Sequence, residues 1–577
     1  MLSVPPLLLL LLPPLLVGGV TRPRGEAAAF RPPAIPLLTT DPQNQNWVYG
    51  SEPTADVVRT VDGRQRQMMG LLRVDGAAPH RWLGDCSLAP TEALGPTRAK
   101  RNVDLACDLL TYETLSGVGQ AGHDTCNRLC YADSRCLAYT TTDSRANPGH
   151  VYCALKNCTD QLIPLRRHNP VVHILTGPRQ PPVSWCPPAA RTLAVHVGPT
   201  STRLVMAVAD VQLNISFATT MFTDDHVRLS RPAFYVNYDV HSLSGQPHDV
   251  DLYLDVSAQA TVAEPRSNVS WSAWPATVGG LRGVRMGASP QRVLSGPMVS
   301  DNSISWGFLH VAVPAHDPNA GVQAGSVATS RQTFLQSGRL PGKMDERQPR
   351  ATFSDLPGLC TVFRNITAGG AAVSKRTVML GYDDVQAIDY FGHHLPGLWT
   401  RAYNNSIAKA MAAAYSERQA MAAKATAFEA QLTSELRAAG GERYAQLGML
   451  SYRQGLAATK LVWNAECNCT WNFLKEINSC GDMNTIDVVF PTSPLLLYSD
   501  PALLRMLLLP VLYYAANGTY VKFTDPFSPH QLGVYPVGNS TTADQERMPL
   551  ENTGNMFLML LGIVQQVRPS TFISLRV

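Results

Sequence analysis

Three short connections carry the side chains best suited to chemistry. "FLKEINSCGDMNTIDVVFPTSPLLLYSDP" holds Lys475, Glu476 and Asp487, "DPFSPHQLGVYP" holds Asp525 and His530, and "RMPLENTGNM" holds Glu551 and Asn555. Each lies just before or after an apolar run, and loops at the ends of packed helices are where function concentrates. Paired carboxylates with an imidazole and amides suit activation of a water and protonation of a leaving group. The plainer alternative is that each residue caps its own helix or ties loops together. Capping is the better account of any one of them, and function of the set.

Other spacings promise less. "GVGQAG" (117–122) satisfies G-x-G-x-x-G, but its flanks are rich in cysteine and lack the strand and helix that a dinucleotide site needs. "SIAK" puts Ser406 and Lys409 one helical turn apart, as in serine-dependent β-lactamase-type enzymes. The "SDN" of Ser300–Asn302 lies upstream, however, and no K-T-G follows. "ECNC" (466–469) with Cys480 lacks a fourth ligand, so a local disulfide is expected there rather than a metal. The adjacent histidines of "GHH" (392–394) point apart. The expectation is chemistry without metal or organic cofactor.

The elements that position these residues follow from length and texture. At 577 residues the chain exceeds what one core organises, so two to four domains are expected. It is 45% hydrophobic and 16% charged, which suits packed domains, and its net charge of +4 is too dilute to attract nucleic acid. "MLSVPPLLLLLLPPLLVGGV" opens a stretch (1–29) with the shape of a secretory signal, and it is short and proline-broken for a membrane span. Twelve cysteines, with sequons at Asn157, Asn214, Asn268, Asn365, Asn404, Asn468, Asn517 and Asn539, agree with a secreted, extracellular protein. From Phe30 to about Leu335 the apolar period is two, as in "RLVMAVADVQLNISFATTMF", "AFYVNYDVHSL" and "HDVDLYLDVSAQATV", which predicts an antiparallel β-sandwich. From about Asp384 the period becomes helical, and an alanine-rich helix stops at Gly440–Gly441. "ERYAQLGMLSYRQGLAATKLVWN" and "SDPALLRMLLLPVLYYAANG" read as further helices.

Cys107, Cys126, Cys130, Cys136, Cys153 and Cys158 interrupt the β half. The segment "TCNRLCYADSRCLAYTTTDSRANPGHVYCALKNC" resembles an apple/PAN module, in which a short helix carries two cysteines four apart and a Cys-x-Leu-Lys strand supplies another. The resemblance implies a disulfide-stapled insert (107–160) that binds a protein or glycan; a stabilised loop with no ligand is the alternative. The β domain is then split into 30–106 and 161–335, with a helical domain over 336–577.

Beyond the insert, the chain resembles the glutaminase A family. The resemblance rests on "RPPAIPLLTTDP", "GLLRVDG", "LSRPAFYVNYDVHSLSGQPHDVDLYLDVSA", "LGYDDVQAIDYFG", "YAQLGMLSYRQ", "FLKEI" with "TIDVVFPTSPLLLY", "SPHQLGVYP" and "MPLENTGNM", in that order. It implies a β-sandwich followed by an (α/α)6 six-hairpin toroid, and a secreted hydrolase that deamidates L-glutamine to L-glutamate and ammonia. Because such barrels resemble glycoside hydrolase scaffolds, a saccharide substrate is the alternative, as is a disabled enzyme that binds through its insert. On the matched motifs Glu551 would activate water with Asp487 as partner carboxylate, and His530 would serve the departing amine. Lys475 would hold a substrate carboxylate and Asn555 the oxyanion, with Glu476 and Asp384 also lining the substrate. Two positions depart from the family's pattern: His530–Gln531 where it reads His-Asp, and Glu551–Asn552 where it reads Glu-Glu. Six hairpins need twelve helices, about 300 residues at ordinary loop lengths. The five or six helices expected here predict a toroid that stops part-way, and weak or absent activity.

Overall fold

The computed structural model describes residues 33–86 and 186–566 apart from short internal stretches, and between those blocks the backbone of six strands. The leader, Cys107, Cys126, Cys130, Cys136, Cys158, "GVGQAG", "SDN" and Asp525 lie outside the described residues.

Two large antiparallel sheets form the body of the β half, with a small three-stranded sheet of Ala34–Thr39, Gln45–Tyr49 and Val58–Arg59 beside them. The larger has nine strands in the order Arg191–Val197, Ser201–Val208, Val211–Ala218, Ala233–Ser242, Ser374–Asp383, Phe308–Pro314, Leu281–Ala288, Asn268–Ala273, Arg350–Ala351. The smaller has five: Ala320–Ser326, Pro357–Ala368, His248–Ser257, Met68–Val74, His80–Leu83. Alternate residues of each sheet meet in one apolar core, with Leu204, Ile215, Phe217, Val236 and Tyr238 from the first and Leu72, Val250, Leu252, Leu254 and Phe363 from the second. This is the expected sandwich. It runs on to Asp383, beyond the expected boundary at 335, because Pro357–Ala368 and Ser374–Asp383 are inner strands. The first seven residues of Pro357–Ala368 are all buried, so the strand lacks the half-polar alternation that marks an exposed-face strand.

The cysteine-rich excursion leaves the sandwich at Cys86 and returns at Cys186, and a disulfide joins these two residues at its root. Within it Ile174–Pro178, Ala138–Asp143, His150–Lys156 and Leu109–Ser116 form a four-stranded sheet in that order. The Cys-x-Leu-Lys run is on the strand His150–Lys156, where Cys153 is buried and disulfide-bonded.

Among the described residues a single helical turn, Trp399–Ala402, and then four longer helices follow: α1 (Ile407–Ala457), α2 (Ile486–Ser499), α3 (Pro501–Ala516) and α4 (Pro549–Gln566). Ser406 caps α1 by accepting from Lys409 N–H at 3.4 Å, so the Ser-x-x-Lys spacing serves the helix start. α1 breaks at Gly441, whose φ of 81° is a left-handed conformation that favours glycine. The chain doubles back there, bringing Thr433 to Met449 (3.0 Å), so α1 is a helical hairpin. Its alanines let the first arm lie directly on the large sheet. A Cβ at Gly381 would come within 2.7 Å of Met411, and one at Gly279 within 2.5 Å of the Ala412 methyl. "TKLVWN" is a strand (Thr459–Asn464) paired with Cys469–Leu474, and not the expected continuation of the helix. β-branched and aromatic residues on both sides of a tight turn outweigh the helical period that precedes them. A disulfide between Cys467 and Cys469 closes that turn, as expected.

Buried cations fasten the helices to the sandwich. Arg453, on the second arm of α1, is fully buried and donates to Thr39 Oγ1 (2.5 Å), Thr202 Oγ1 (2.7 Å), Leu37 O (2.8 Å) and Gly198 O (3.3 Å). Burial pulls its guanidinium down to about 9. On the first arm Glu429 accepts from Thr200 N–H (3.1 Å) and Thr200 Oγ1 (2.6 Å) in the same turn. Lys460, also buried, bonds Asp384 at 2.6 Å and Asp41 at 3.0 Å. Burial alone would pull this ammonium down, but the two carboxylates outweigh it and hold it well above its ordinary value.

Two predictions follow from these contacts. Arg453→Met should destabilise the protein by roughly 3–5 kcal/mol in denaturant titrations, because carbonyls and hydroxyls that met a cation are left buried and unpaired. The second concerns Asp383, whose carboxyl is pushed up to about 6 by burial and then by neighbouring Asp384. Its folded-state value is raised, so it imposes no penalty below the unfolded value of 3.8 and its full penalty above about 6. Asp383→Asn keeps an acceptor for Val385 N–H (2.9 Å) and removes the charge. The variant should match the parent near pH 4 and exceed it by up to about 3 kcal/mol at pH 7.5. Equal stability at pH 7.5 would show that Asp383 is better solvated than this account holds.

Candidate functional site

Two loops pair like strands and build the site. Met483 N–H donates to Gly533 O (2.7 Å), Leu532 N–H to Met483 O (2.9 Å), Tyr535 N–H to Gly481 O (2.9 Å) and Ile486 N–H to His530 O (2.9 Å). The first loop is anchored to the Thr459–Asn464/Cys469–Leu474 hairpin. Lys475 N–H bonds Ala458 O (2.9 Å), and Asn484 Oδ1 accepts from Leu474 N–H (2.7 Å). The second loop reaches α4 through Ser528 N–H, which donates to Thr553 Oγ1 (3.1 Å).

This scaffold gathers most of the residues the sequence singled out. His530 is almost fully buried, and its Nε2 lies 3.2 Å from Asp487 Oδ1 in the first turn of α2. The approach is a close polar contact and not an aligned hydrogen bond. Asp487 is a third exposed, so this pair opens to solvent on the carboxylate side. Glu476 Oε2 accepts from Thr485 Oγ1 (2.9 Å), two residues before Asp487. Lys475 is buried at the root of the same loop. Gln531 lies beside His530 with its side chain turned to Gly533 N–H, so it shapes the loop.

Two placements differ from the expectation. Glu551 is exposed on the outer side of α4, whereas Asn552 and Asn555 face inward. The helical phase decides this, since Asn552, Asn555, Met556, Met559 and Ile563 make one buried stripe. Asp384 is occupied by the buried Lys460 pair and acts as a fastener between sandwich and helices. Asn552 entered the sequence reading only as a departure from the family's pattern and was given no role, and its place on the inward stripe was the available signal.

Glu476, Cys480 and Asp482 place their donor atoms within 4.8 Å of one another, the one such set found among the described residues. Desolvation, with help from Asp482 and Glu476, pushes the Cys480 thiol up to about 11, so it stays protonated and a poor nucleophile at neutral pH. His393 pairs with Glu466 at 2.9 Å in a separate surface contact.

A domain of unknown function (DUF5127) matches residues 200–435, and the glutaminase A six helical-hairpin domain matches residues 441–575. The two meet at the Gly441 break, and the insert lies outside both. The chain is 29% identical over 386 residues to glutaminase A of Aspergillus oryzae (strain ATCC 42149 / RIB 40), covering 65% of this chain and 54% of that protein. It is 24% identical over 385 residues to a protein named probable glutaminase from Arthroderma benhamiae (strain ATCC MYA-4681 / CBS 112371), covering 63% and 42% respectively. The chain thus spans about half the length of the curated relatives it matches. The order of sandwich, helical hairpin and paired loops coincides with these matches, and the chain belongs to the glutaminase A family.

Proposed function

We propose that this protein hydrolyses the side-chain amide of L-glutamine, giving L-glutamate and ammonia. The observation that carries the reading is the Asp487–His530 pair, set between Glu476 and α4 within the segment matched by the glutaminase A helical domain. Asp487 takes a proton from water, and the resulting hydroxide adds to the amide carbon. The carbon–nitrogen bond then breaks as His530 delivers a proton to the departing nitrogen, so one water is consumed per ammonia released. Lys475 offers a cation to the substrate's α-carboxylate. Glu551, on the outer side of α4, takes no part. The protein acts outside the cytosol, a reading supported by the leader, the sequons and the disulfides Cys86–Cys186 and Cys467–Cys469.

The test sets ammonia release from L-glutamine against sugar release from a panel of glycosides, using the full-length chain. Ammonia without sugar is expected; sugar without ammonia would replace this reading with a glycosidase. Asp487→Asn and His530→Asn should each lower kcat by about 10²–10⁴-fold, while Glu551→Gln leaves it unchanged. For localisation, mass mapping after glycan removal should find modified Asn268, Asn365, Asn404, Asn468 or Asn539, all exposed. Asn214 should be bare, because it is held within a strand by Gln212 (3.0 Å) and His241 (3.1 Å).

A further inference from the structure

Asn552 is 1% exposed, and neither its amide oxygen nor its amide nitrogen meets a hydrogen-bond partner among the described residues. A carboxamide is a double donor and double acceptor, and burying one unsatisfied is unfavourable unless a ligand or an ordered water completes it. A leucine of similar size would suit the surroundings better, since the next residues of the same stripe, Met556, Met559 and Ile563, belong to the apolar core. Asn552 heads that stripe at the end of α4 where Thr553 holds Ser528, two residues from His530. Asn555, 9% exposed, shares its face.

We propose that Asn552 binds the primary amide of the substrate edge to edge; the assignment rests on the glutaminase reading above. Nδ2 donates to the substrate's amide oxygen and Oδ1 accepts from its amide nitrogen. Both bonds lie in the plane of the amide, which leaves the face of the carbonyl carbon open to water. The donor to the oxygen also strengthens as negative charge develops there. After hydrolysis the product presents a carboxylate with no N–H, so Oδ1 faces an oxygen and the product is held less well. Asn552 is therefore a specificity residue that prefers carboxamide over carboxylate, a preference a glutamate at this position could not supply.

The test compares the full-length parent with Asn552→Leu in thermal unfolding without ligand, and in calorimetric titrations with L-glutamine and L-glutamate. The expected result is a higher melting temperature for Asn552→Leu, with glutamine affinity reduced about tenfold or more and glutamate affinity little changed. Asn552→Ala, which brings no bulk, should show the same selective loss, so the test stands even if the leucine variant does not fold. A lower melting temperature for Asn552→Leu, or an equal loss of both ligands, would make Asn552 a structural residue and overturn the proposal. Glutamine binding that both variants retain in full would overturn it while leaving the glutaminase reading intact. A parent that binds neither glutamine nor a simple primary amide such as propionamide would remove both.

Discussion

Arg453 is a cation sunk between two folded layers and answered by hydroxyls and carbonyls of the sandwich. Desolvating a guanidinium is tolerable only when its donors meet acceptors held in place beforehand. The acceptors come from Ala34–Thr39, a strand of a small three-stranded sheet beside the sandwich, and from the turn after Arg191–Val197 with the start of the strand Ser201–Val208. The second arm of α1 therefore has one seat on the sandwich. Lys460, seven residues on, makes the same demand through Asp41 and Asp384. Between them the two cations set the position and direction of the chain as it enters the hairpin that carries Lys475.

The site inherits its geometry from that entry. The hairpin Thr459–Asn464/Cys469–Leu474 sets Lys475 and Glu476, and the paired loops set His530 opposite Asp487. α4 closes the arrangement by packing its inward stripe against α2 and α3. Chemistry between residues so far apart in sequence depends on few ångströms, and rigid backbone pairing holds them better than independent loops would. The outer side of α4, with Phe557, Leu558 and Leu561 exposed, plays no part in this placement.

Much of this was legible in the sequence, and the exceptions have physical causes. Val211–Ala218 announced itself because its residues alternate between buried and half-buried along the whole strand. Pro357–Ala368 did not, because burial of its first seven residues hides the alternation. Gly441 marked the end of a helix correctly, but not that the next arm folds back on the first. Asp487 and His530 were visible as chemistry-bearing residues near helix ends. Their contact was not, since it depends on loops pairing across more than forty residues. Asp384 carried the same chemical promise and was taken up by Lys460, a partner that no local pattern reveals. Glu551 and Asn552 differ by one residue, so helical phase alone put the carboxylate outside and the amide inside. Arg453, the residue on which docking depends, sits in an unremarkable helical stretch.

The account holds that sandwich and site form one cooperative unit. Native-state hydrogen exchange at rising denaturant tests this most directly, comparing Ile215 and Phe217 in the large sheet with Met483, Leu532 and Tyr535 in the paired loops. The account predicts that the loop amides open with the same free energy as the sheet amides, their curves merging into one global unfolding. Loop amides that exchange through a separate, much cheaper opening while the sheet stays protected would contradict it, and the buried cations would then secure only the sandwich's edge.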